Sequence, residues 1–159
     1  MGDGPDTQHG TAIAVSGRAA LIVGPSGAGK SDLALRCLAV APTALIPAAA
    51  QLVGDDRVII SLASGQLRIA APEAIRGKLE VRGMGVVKVP YVASADLALV
   101  VELVAPGTVE RLPDPLPTRR FMSISVPMLR LAPFEVAAPV KLLLALSLAT
   151  QSPGKAPET

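Results

Sequence analysis

The sequence predicts one α/β domain in which several strands run antiparallel. Three observations favour this class. Strand-like and helix-like segments interleave along the 159 residues, residues 95–104 form an apolar run typical of a strand buried on both faces, and a glycine-rich loop at residues 24–31 joins a strand to a helix. A chain of this length usually folds as a single domain.

The first predicted elements surround the glycine-rich loop. Residues 12–15 and 19–23 read as two short strands around a three-residue turn. Apolar side chains at helical spacing then predict a helix over residues 31–40; they are Leu33, Ala34, Cys37 and Leu38. We expect Cys37 to be a small core residue, not a nucleophile.

The rest of the chain alternates between strand and loop patterns before a closing helix. Residues 43–52 stay open between a loop and an Ala-rich helical turn. Residues 57–62 and 66–70 flank a Ser-Gly turn and predict a hairpin. Residues 121–126 predict another strand, and residues 139–150 predict the closing helix.

Composition excludes several classes of function. Lys and Arg total 15 against 13 Asp and Glu, so the net charge is only +2. One Tyr, two Phe and no Trp leave too few aromatics to stack single-stranded nucleic acid. The single Cys and single His exclude an intrachain disulfide framework and sites built on several of these ligands.

The termini and the apolar runs suggest a cytoplasmic domain with no nucleic-acid or membrane partner. Residues 1–8 predict a flexible N-terminus without a signal-peptide pattern, residues 9–150 form the predicted domain, and residues 151–159 predict a disordered tail. The longest weakly polar run, residues 37–53, contains two prolines and is shorter than the ~20 apolar residues of a spanning helix.

The strongest motif is a full match to GxxxxGK[ST] between a strand and a helix. Its residues are Gly24, Pro25, Ser26, Gly27, Ala28, Gly29, Lys30 and Ser31. Glycines let backbone N–H groups converge on phosphate oxygens, and the helix N-terminus adds a positive end. In such a loop Lys30 reaches the β- and γ-phosphates and the Ser31 hydroxyl ligates Mg²⁺. The sequence therefore predicts binding of a nucleotide together with Mg²⁺.

Two further clusters carry charges suited to phosphoryl transfer. Asp55 and Asp56 follow an apolar segment, where one carboxylate can serve the Mg²⁺ shell and the other can take a proton. The alternative is an ordinary acidic turn. Residues 72–86 combine Glu80 with basic residues and three glycines. This segment is either close to a ligand or a charged surface hairpin without a role.

Together these segments resemble the C-terminal catalytic domain of the HPr kinase/phosphorylase family. The resemblance begins at His9-Gly10, includes the glycine-rich loop and Asp55-Asp56-Arg57-Val58, and covers about two-thirds of the chain, residues 9–112. It is most specific at Leu79-Glu80-Val81-Arg82-Gly83-Met84-Gly85-Val86, which is similar to the family signature "LEIRGLGI". Glu110-Arg111-Leu112 is similar to the family's "DRL" segment.

The resemblance implies both a fold and an activity. The fold is a P-loop kinase core with a mixed sheet and flanking helices, as in phosphoenolpyruvate carboxykinase. The activity is ATP- and Mg²⁺-dependent phosphorylation of a serine in HPr, the phosphocarrier of the bacterial phosphotransferase system. Many members also dephosphorylate phosphoserine-HPr with inorganic phosphate, and members form hexamers, so we expect a homo-oligomer.

The same resemblance assigns roles to individual residues. Lys30 is the phosphate-loop lysine, and Ser31 and Glu80 are Mg²⁺ ligands. His9 and Arg111 match residues active in the family, and Asp55 and Asp56 match its catalytic aspartates. Tandem carboxylates share their protons as a pair, and we favour Asp56 as the base.

Three departures separate this chain from longer members. It has no room for their N-terminal domain, so it is similar to short forms with the catalytic domain alone. Residues 41–50 read as an Ala/Pro insertion, and residues 126–135 stand where longer members carry Pro-Gly-Arg-Asn. The missing segment argues against the dephosphorylating activity. Nearby Arg119, Arg120 and Arg130 receive no role.

Two other functions fit a phosphate loop. A small-molecule kinase usually carries an Arg-bearing lid, which the sequence does not display. A non-catalytic ATP-sensing module has no need of the four charged residues Asp55, Asp56, Glu80 and Arg111.

Overall fold

The computed structural model describes residues 4–149 of the chain. It contains two α-helices, α1 (Lys30–Leu38) and α2 (Ala138–Leu148), and short 3₁₀ turns at Glu73–Ile75 and Pro106–Thr108. The strands are β1 (Asp6–His9), β2 (Thr11–Val15), β3 (Arg18–Val23), β4 (Gln51–Gly54), β5 (Arg57–Ala63), β6 (Gln66–Ala70), β7 (Lys78–Val81), β8 (Gly85–Lys88), β9 (Ser94–Leu103), β10 (Thr118–Phe121) and β11 (Ile124–Leu131).

Nine strands form one mixed sheet in the order β1-β5-β6-β9-β3-β2-β4, with β11 beside β9 and β10 beside β11. β9 runs parallel to β3 on one side and to β11 on the other. The remaining pairings of this sheet are antiparallel. Because carboxyl ends of parallel strands meet at one edge, the loops after β3, β9 and β11 share that edge. The predicted α/β class is therefore confirmed.

The sheet folds back on itself beside the predicted site. β1 and β4 lie at opposite ends of the strand order, yet Gly10 alone separates β1 from β2, and Asp55-Asp56 alone separates β4 from β5. The two junctions meet, since the Gly10 N–H donates a 3.0 Å hydrogen bond to the Asp56 carbonyl. A Cβ on Gly10 would lie 2.8 Å from the Ile22 carbonyl oxygen, so only glycine fits there.

Two apolar clusters fill the two faces of the sheet. One packs α1 and α2 against the strands and includes Ile13, Ile22, Leu33 and Leu142. The other draws only on strands and uses small side chains such as those of Ala12, Ala14 and Ala19. Small residues allow strands of a folded sheet to approach closely, which explains a core poor in aromatics.

Several predicted elements are confirmed. Strand β6 coincides with the prediction, and β2, β3, β5 and β9 differ by one residue at an end or two. Helix α1 ends at Leu38, two residues before the predicted end. Cys37 is fully buried in the helix-side cluster, as predicted.

Other predictions were wrong. Residues 121–126 are not one strand, because Met122 adopts a left-handed φ of 56° and turns the chain between β10 and β11. Of the two alternatives left open for residues 43–52, residues 43–50 form the loop, but Gln51 and Leu52 belong to strand β4, which pairs with β2. Within the predicted flexible segment 1–8, Asp6–His9 forms β1 through pairing with β5, although its side chains are mostly exposed.

The predicted end of the closing helix at Thr150 and the tail at 151–159 lie outside the described residues. Among residues 4–149, neither helix has the length and apolar character needed to cross a membrane.

Candidate active site

The glycine-rich loop connects β3 to α1 at the shared edge of the sheet. Gly27 and Gly29 have φ values of 81° and 100°, which side chains rarely tolerate. Gly29 is the residue before α1 and has no side chain to cap the first-turn amides. Those N–H groups are therefore available to an anion at the positive end of the helix.

Lys30 brings a cation into this loop. Its Nζ donates hydrogen bonds of 2.8 Å to the Gly24 carbonyl and 3.0 Å to the Pro25 carbonyl. These bonds hold the ammonium group across the loop, where phosphate oxygens can replace the carbonyls as acceptors. The motif predicted from sequence thus has the backbone conformation and the charge of a phosphate-binding loop.

Asp55 is the centre of the hydrogen-bond network beside this loop. Its Oδ1 accepts bonds from Ser31 Oγ at 2.6 Å and from Thr11 Oγ1 at 2.9 Å. Its Oδ2 accepts the backbone N–H of Glu80 at 2.9 Å. The residue is only 8% exposed, and three donors satisfy the buried carboxylate. Asp55 is therefore fixed against the Ser31 hydroxyl.

Asp56 has the opposite environment. Its side chain is 70% exposed, and its Oδ1 lies 3.4 Å from Nδ1 of His9, whose side chain is 81% exposed. Its φ of 68° lies in the left-handed region, which Asp tolerates better than most residues. The adjacent aspartates therefore divide into one buried, fully bonded group and one open to solvent.

Glu80 lies on the two-stranded sheet that β7 and β8 form. Leu79 anchors β7 in the helix-side core, and the Glu80 side chain is exposed. The backbone N–H of Glu80 thus donates to the Asp55 carboxylate. The Glu80 side chain therefore begins next to Asp55. The segment is a charged hairpin, but one attached to the predicted site.

Arg111 lies elsewhere along the same edge of the sheet. It follows β9 and, with Arg130, Glu135 and Lys141, lines a cavity of about 190 Å³. Among the described contacts, no hydrogen bond or ion pair links Arg111 to either aspartate. Arg130 pairs with Glu102 at 3.1 Å, and Arg119 lies over the Phe121 ring. The structure therefore does not join Arg111 to the network around Asp55.

Sequence reasoning missed Thr11 and Phe134. Thr11 is fully buried and bonded to Asp55; its signal was a polar residue at the start of an apolar strand. Phe134 is 70% exposed, and a Cβ on Gly29 would lie 2.8 Å from its ring. This aromatic ring therefore covers the end of the phosphate loop, a contact between residues far apart in sequence.

The oxygen donors of Ser31 and Asp55 fit Mg²⁺. The ion usually binds one or two carboxylates together with substrate phosphates and water. In the part of the chain that the structure describes, no group of three or more His, Cys, Asp or Glu residues is arranged for a metal. A site with few protein ligands is what phosphate-bound Mg²⁺ requires, so the residues present fit the ion.

Known proteins are similar to this chain in both sequence and fold. The family model "HPr Serine kinase C-terminal domain" matches residues 5–144. The HPr kinase/phosphorylase of Clostridium novyi (strain NT) is 42% identical over 87 residues, which are 54% of this chain and 26% of that protein. The one from Clostridium beijerinckii is 43% identical over 86 residues, with the same shares. The chain thus spans about a quarter of the length of these relatives.

A solved structure extends the likeness to nearly the whole chain. The Hpr(Ser) kinase/phosphatase from Coxiella burnetii superposes with a TM-score of 0.71 at 26% identity, covering 90% of each chain. The family match covers most of the chain and includes the phosphate loop, both aspartates and Glu80. The chain therefore belongs to the HPr serine kinase C-terminal domain family.

Proposed function

We propose that this chain is an ATP- and Mg²⁺-dependent kinase that phosphorylates a serine of HPr in the cytoplasm. The observation that carries the proposal is the 2.6 Å hydrogen bond from Ser31 in the phosphate loop to the buried Asp55, with an exposed Asp56 next to it. This arrangement offers a phosphate site, a metal site and a free carboxylate within a few residues. Membership in the HPr serine kinase family supports the substrate.

The phosphate loop binds the nucleotide. First-turn amides of α1 and the Lys30 ammonium neutralise phosphate oxygens, and Ser31, Asp55 and Glu80 would hold Mg²⁺. When bound, the ion would neutralise negative charge on the phosphates of the nucleotide. Asp55 keeps the Ser31 hydroxyl oriented, since the two are already hydrogen-bonded.

Asp56 acts on the acceptor. The serine oxygen of HPr attacks the γ-phosphorus, the bond to the bridging oxygen of ADP breaks, and the serine proton moves to the Asp56 carboxylate. Nδ1 of His9 lies 3.4 Å from this carboxylate and would help to orient it. The exposure of Asp56 supports this role because a protein substrate approaches from solvent. Arg111 lines a separate cavity. It would stabilise the negative charge on the transferred phosphoryl group if its side chain moved to the phosphates.

Intact-mass analysis of HPr tests the proposal. Incubation with ATP, Mg²⁺ and this chain is expected to add one phosphate to HPr, and Lys30→Ala is expected to abolish the addition. If the mass of HPr does not change after long incubation with excess enzyme and saturating ATP, the proposal is contradicted. Product formed instead on a small hydroxyl compound points to a small-molecule kinase, and tight ATP binding with no product points to a sensing module.

The reverse reaction follows from the same assay. Inorganic phosphate added to the phosphorylated product reports whether the chain removes the group, and the absent Pro-Gly-Arg-Asn segment predicts slow or no removal.

We also propose a homo-oligomer, with a hexamer as the expected state. The loops beyond β9 and β11 expose three large apolar side chains, those of Val136 (98%), Leu112 (80%) and Phe134 (70%). Exposed apolar side chains of this kind often mark a protein–protein interface. Light scattering after gel filtration measures the mass of the assembly directly.

A further inference from the structure

Thr11 and Asp55 are the two buried residues with polar side chains in the described part of the chain. Thr11 is the first residue of β2, and Asp55 lies in the turn between β4 and β5, 44 residues further along the chain. The Thr11 hydroxyl donates a 2.9 Å hydrogen bond to the Asp55 carboxylate. We propose that Thr11 is a positioning residue that sets the orientation of both aspartates through one hydroxyl group. The proposal rests on the proposed function for its kinetic consequence, but not for its structural one.

The Thr11 hydroxyl acts both as a donor and as an acceptor. A hydroxyl has one proton to donate and lone pairs to accept. Asp55 is held between donors, so the Thr11 proton points to its Oδ1. The Thr11 oxygen is then free to accept the backbone N–H of Asp56 at 3.3 Å. One side chain thus bonds the carboxylate of the first aspartate and the main chain of the second.

The main chain of Asp56 is bonded at both its N–H and its carbonyl. Its N–H meets Thr11, its carbonyl accepts the Gly10 N–H at 3.0 Å, and its carboxylate faces His9. Three consecutive residues at the β1–β2 junction therefore contact Asp56, and two of them, Gly10 and Thr11, hold its main chain by hydrogen bonds. The left-handed φ of Asp56 is uncommon for a non-glycine residue, although Asp adopts it more readily than most. The direction of the exposed carboxylate depends on this fixed backbone.

Packing alone does not account for the hydroxyl. Thr11 lies on the same face of β2 as Ile13, which packs in the helix-side core. A valine has nearly the same shape and would satisfy the apolar neighbours equally well, but its second methyl group would face the buried Asp55 carboxylate. The hydroxyl has partners only in the aspartate pair, so its contribution is to their orientation.

The test compares side chains that differ by one oxygen. Thr11→Ser and Thr11→Ala both lose the methyl group, and only Ser keeps the hydroxyl. Thr11→Val keeps the shape and loses the hydroxyl. Thr7→Val is the matched control, because Thr7 lies on the neighbouring strand with its side chain exposed.

Two readouts separate the structural from the kinetic claim. Amide exchange followed by NMR measures the protection of the Asp56 N–H without reference to any activity. HPr phosphorylation at varied ATP measures kcat and KM. We expect Thr11→Ala and Thr11→Val to speed Asp56 exchange about tenfold or more and to lower kcat about 10–100-fold, with KM for ATP nearly unchanged. Thr11→Ser is expected to stay near wild type in both readouts.

Several results overturn the inference. Wild-type Asp56 protection and kcat in Thr11→Ala contradict it, as do equal losses in Thr11→Ser and Thr11→Ala, which would assign the effect to the methyl group. If Thr11→Val does not fold, the Ser–Ala pair still decides. If the wild-type chain fails to phosphorylate HPr, the proposed function is rejected, and the exchange comparison still supports or rejects the role of Thr11.

Discussion

Ser31 Oγ donates a 2.6 Å hydrogen bond to Oδ1 of Asp55, although 24 residues separate them. The bond joins the phosphate loop after β3 to the junction between β4 and β5. It depends on β2 lying between β3 and β4, since β2 pairs with both. The pairing of these three strands therefore places the Ser31 hydroxyl, which is predicted to bind Mg²⁺, next to the Asp55 carboxylate, which can bind the same ion.

Asp55→Asn is expected to destabilise the protein. The carboxylate accepts three donors, and an amide has one accepting and one donating end. One donor then faces an N–H group, which costs about 1–3 kcal/mol at a buried position. Urea unfolding measures the loss. Asp96→Asn is the control, because Asp96 forms a partly exposed pair with Arg68 and a change below about 1 kcal/mol is expected there.

Asp56→Asn is expected to lower kcat about 10²–10⁴-fold, the usual contribution of a general base. Asn tolerates the left-handed φ as well as Asp does, so the free energy of unfolding should change by less than about 0.5 kcal/mol. Steady-state phosphorylation of HPr checks the first expectation and urea unfolding the second. Asp6→Asn, an exposed change on β1, should leave both values at wild type. A fully active Asp56→Asn variant would assign the proton to another group.

Glu80→Gln tests whether the Glu80 carboxylate binds Mg²⁺, separately from the backbone N–H of Glu80, which donates to Asp55. The N–H bond to Asp55 survives the change, so stability should not move. If the carboxylate binds Mg²⁺, the concentration of Mg²⁺ for half-maximal activity rises about tenfold or more. Titration of activity with Mg²⁺ measures this. Glu73→Gln in the exposed 3₁₀ turn should have no effect, and an unshifted Glu80→Gln would remove Glu80 from the metal site.

Gly29→Ala is expected to abolish tight ADP binding. The new Cβ would lie 2.8 Å from Cζ of Phe134 at a φ of +100°. Adding Phe134→Ala removes the clash but leaves the backbone strain of about 1–2 kcal/mol, so binding should recover only in part. Calorimetric titration with ADP measures both variants. At Gly107 a Cβ meets nothing within 4 Å, so Gly107→Ala should bind like wild type; full recovery in the double variant would assign the whole effect to Phe134.

Cys37 gives stability a dependence on alkaline pH. Burial raises the pKa of its thiol from 9.0 to about 12. Between these values the unfolded chain loses the proton and the folded chain keeps it, so the unfolded state is favoured as pH rises. The contribution of Cys37 to the free energy of unfolding should therefore not change with pH below about pH 9 and should decline above it. Cys37→Ala should flatten this part of the profile, and a decline of equal slope in that variant would assign it to other groups.

Local features were predictable where neighbouring residues alone decide the structure. The hairpin into β6 and the phosphate loop follow from short patterns of glycine, alternation and helical spacing. The hairpin at Met122 escaped prediction because methionine is not a turn residue and its left-handed φ is imposed by the pairing of β10 with β11. Strand β1 escaped because its side chains are mostly exposed and only pairing with β5 makes it a strand.

The phosphate loop could be predicted without the structure because it is a contiguous motif, and the candidate residues around it were predicted as well. Tertiary structure alone decided that Asp55 is buried against Ser31 and Thr11 while Asp56 is open beside His9. It also placed Arg111 at a separate cavity. The physical reason is sheet closure: adjacent aspartates have the same local sequence but opposite directions at a strand junction, and only the strands that meet there fix which one is buried.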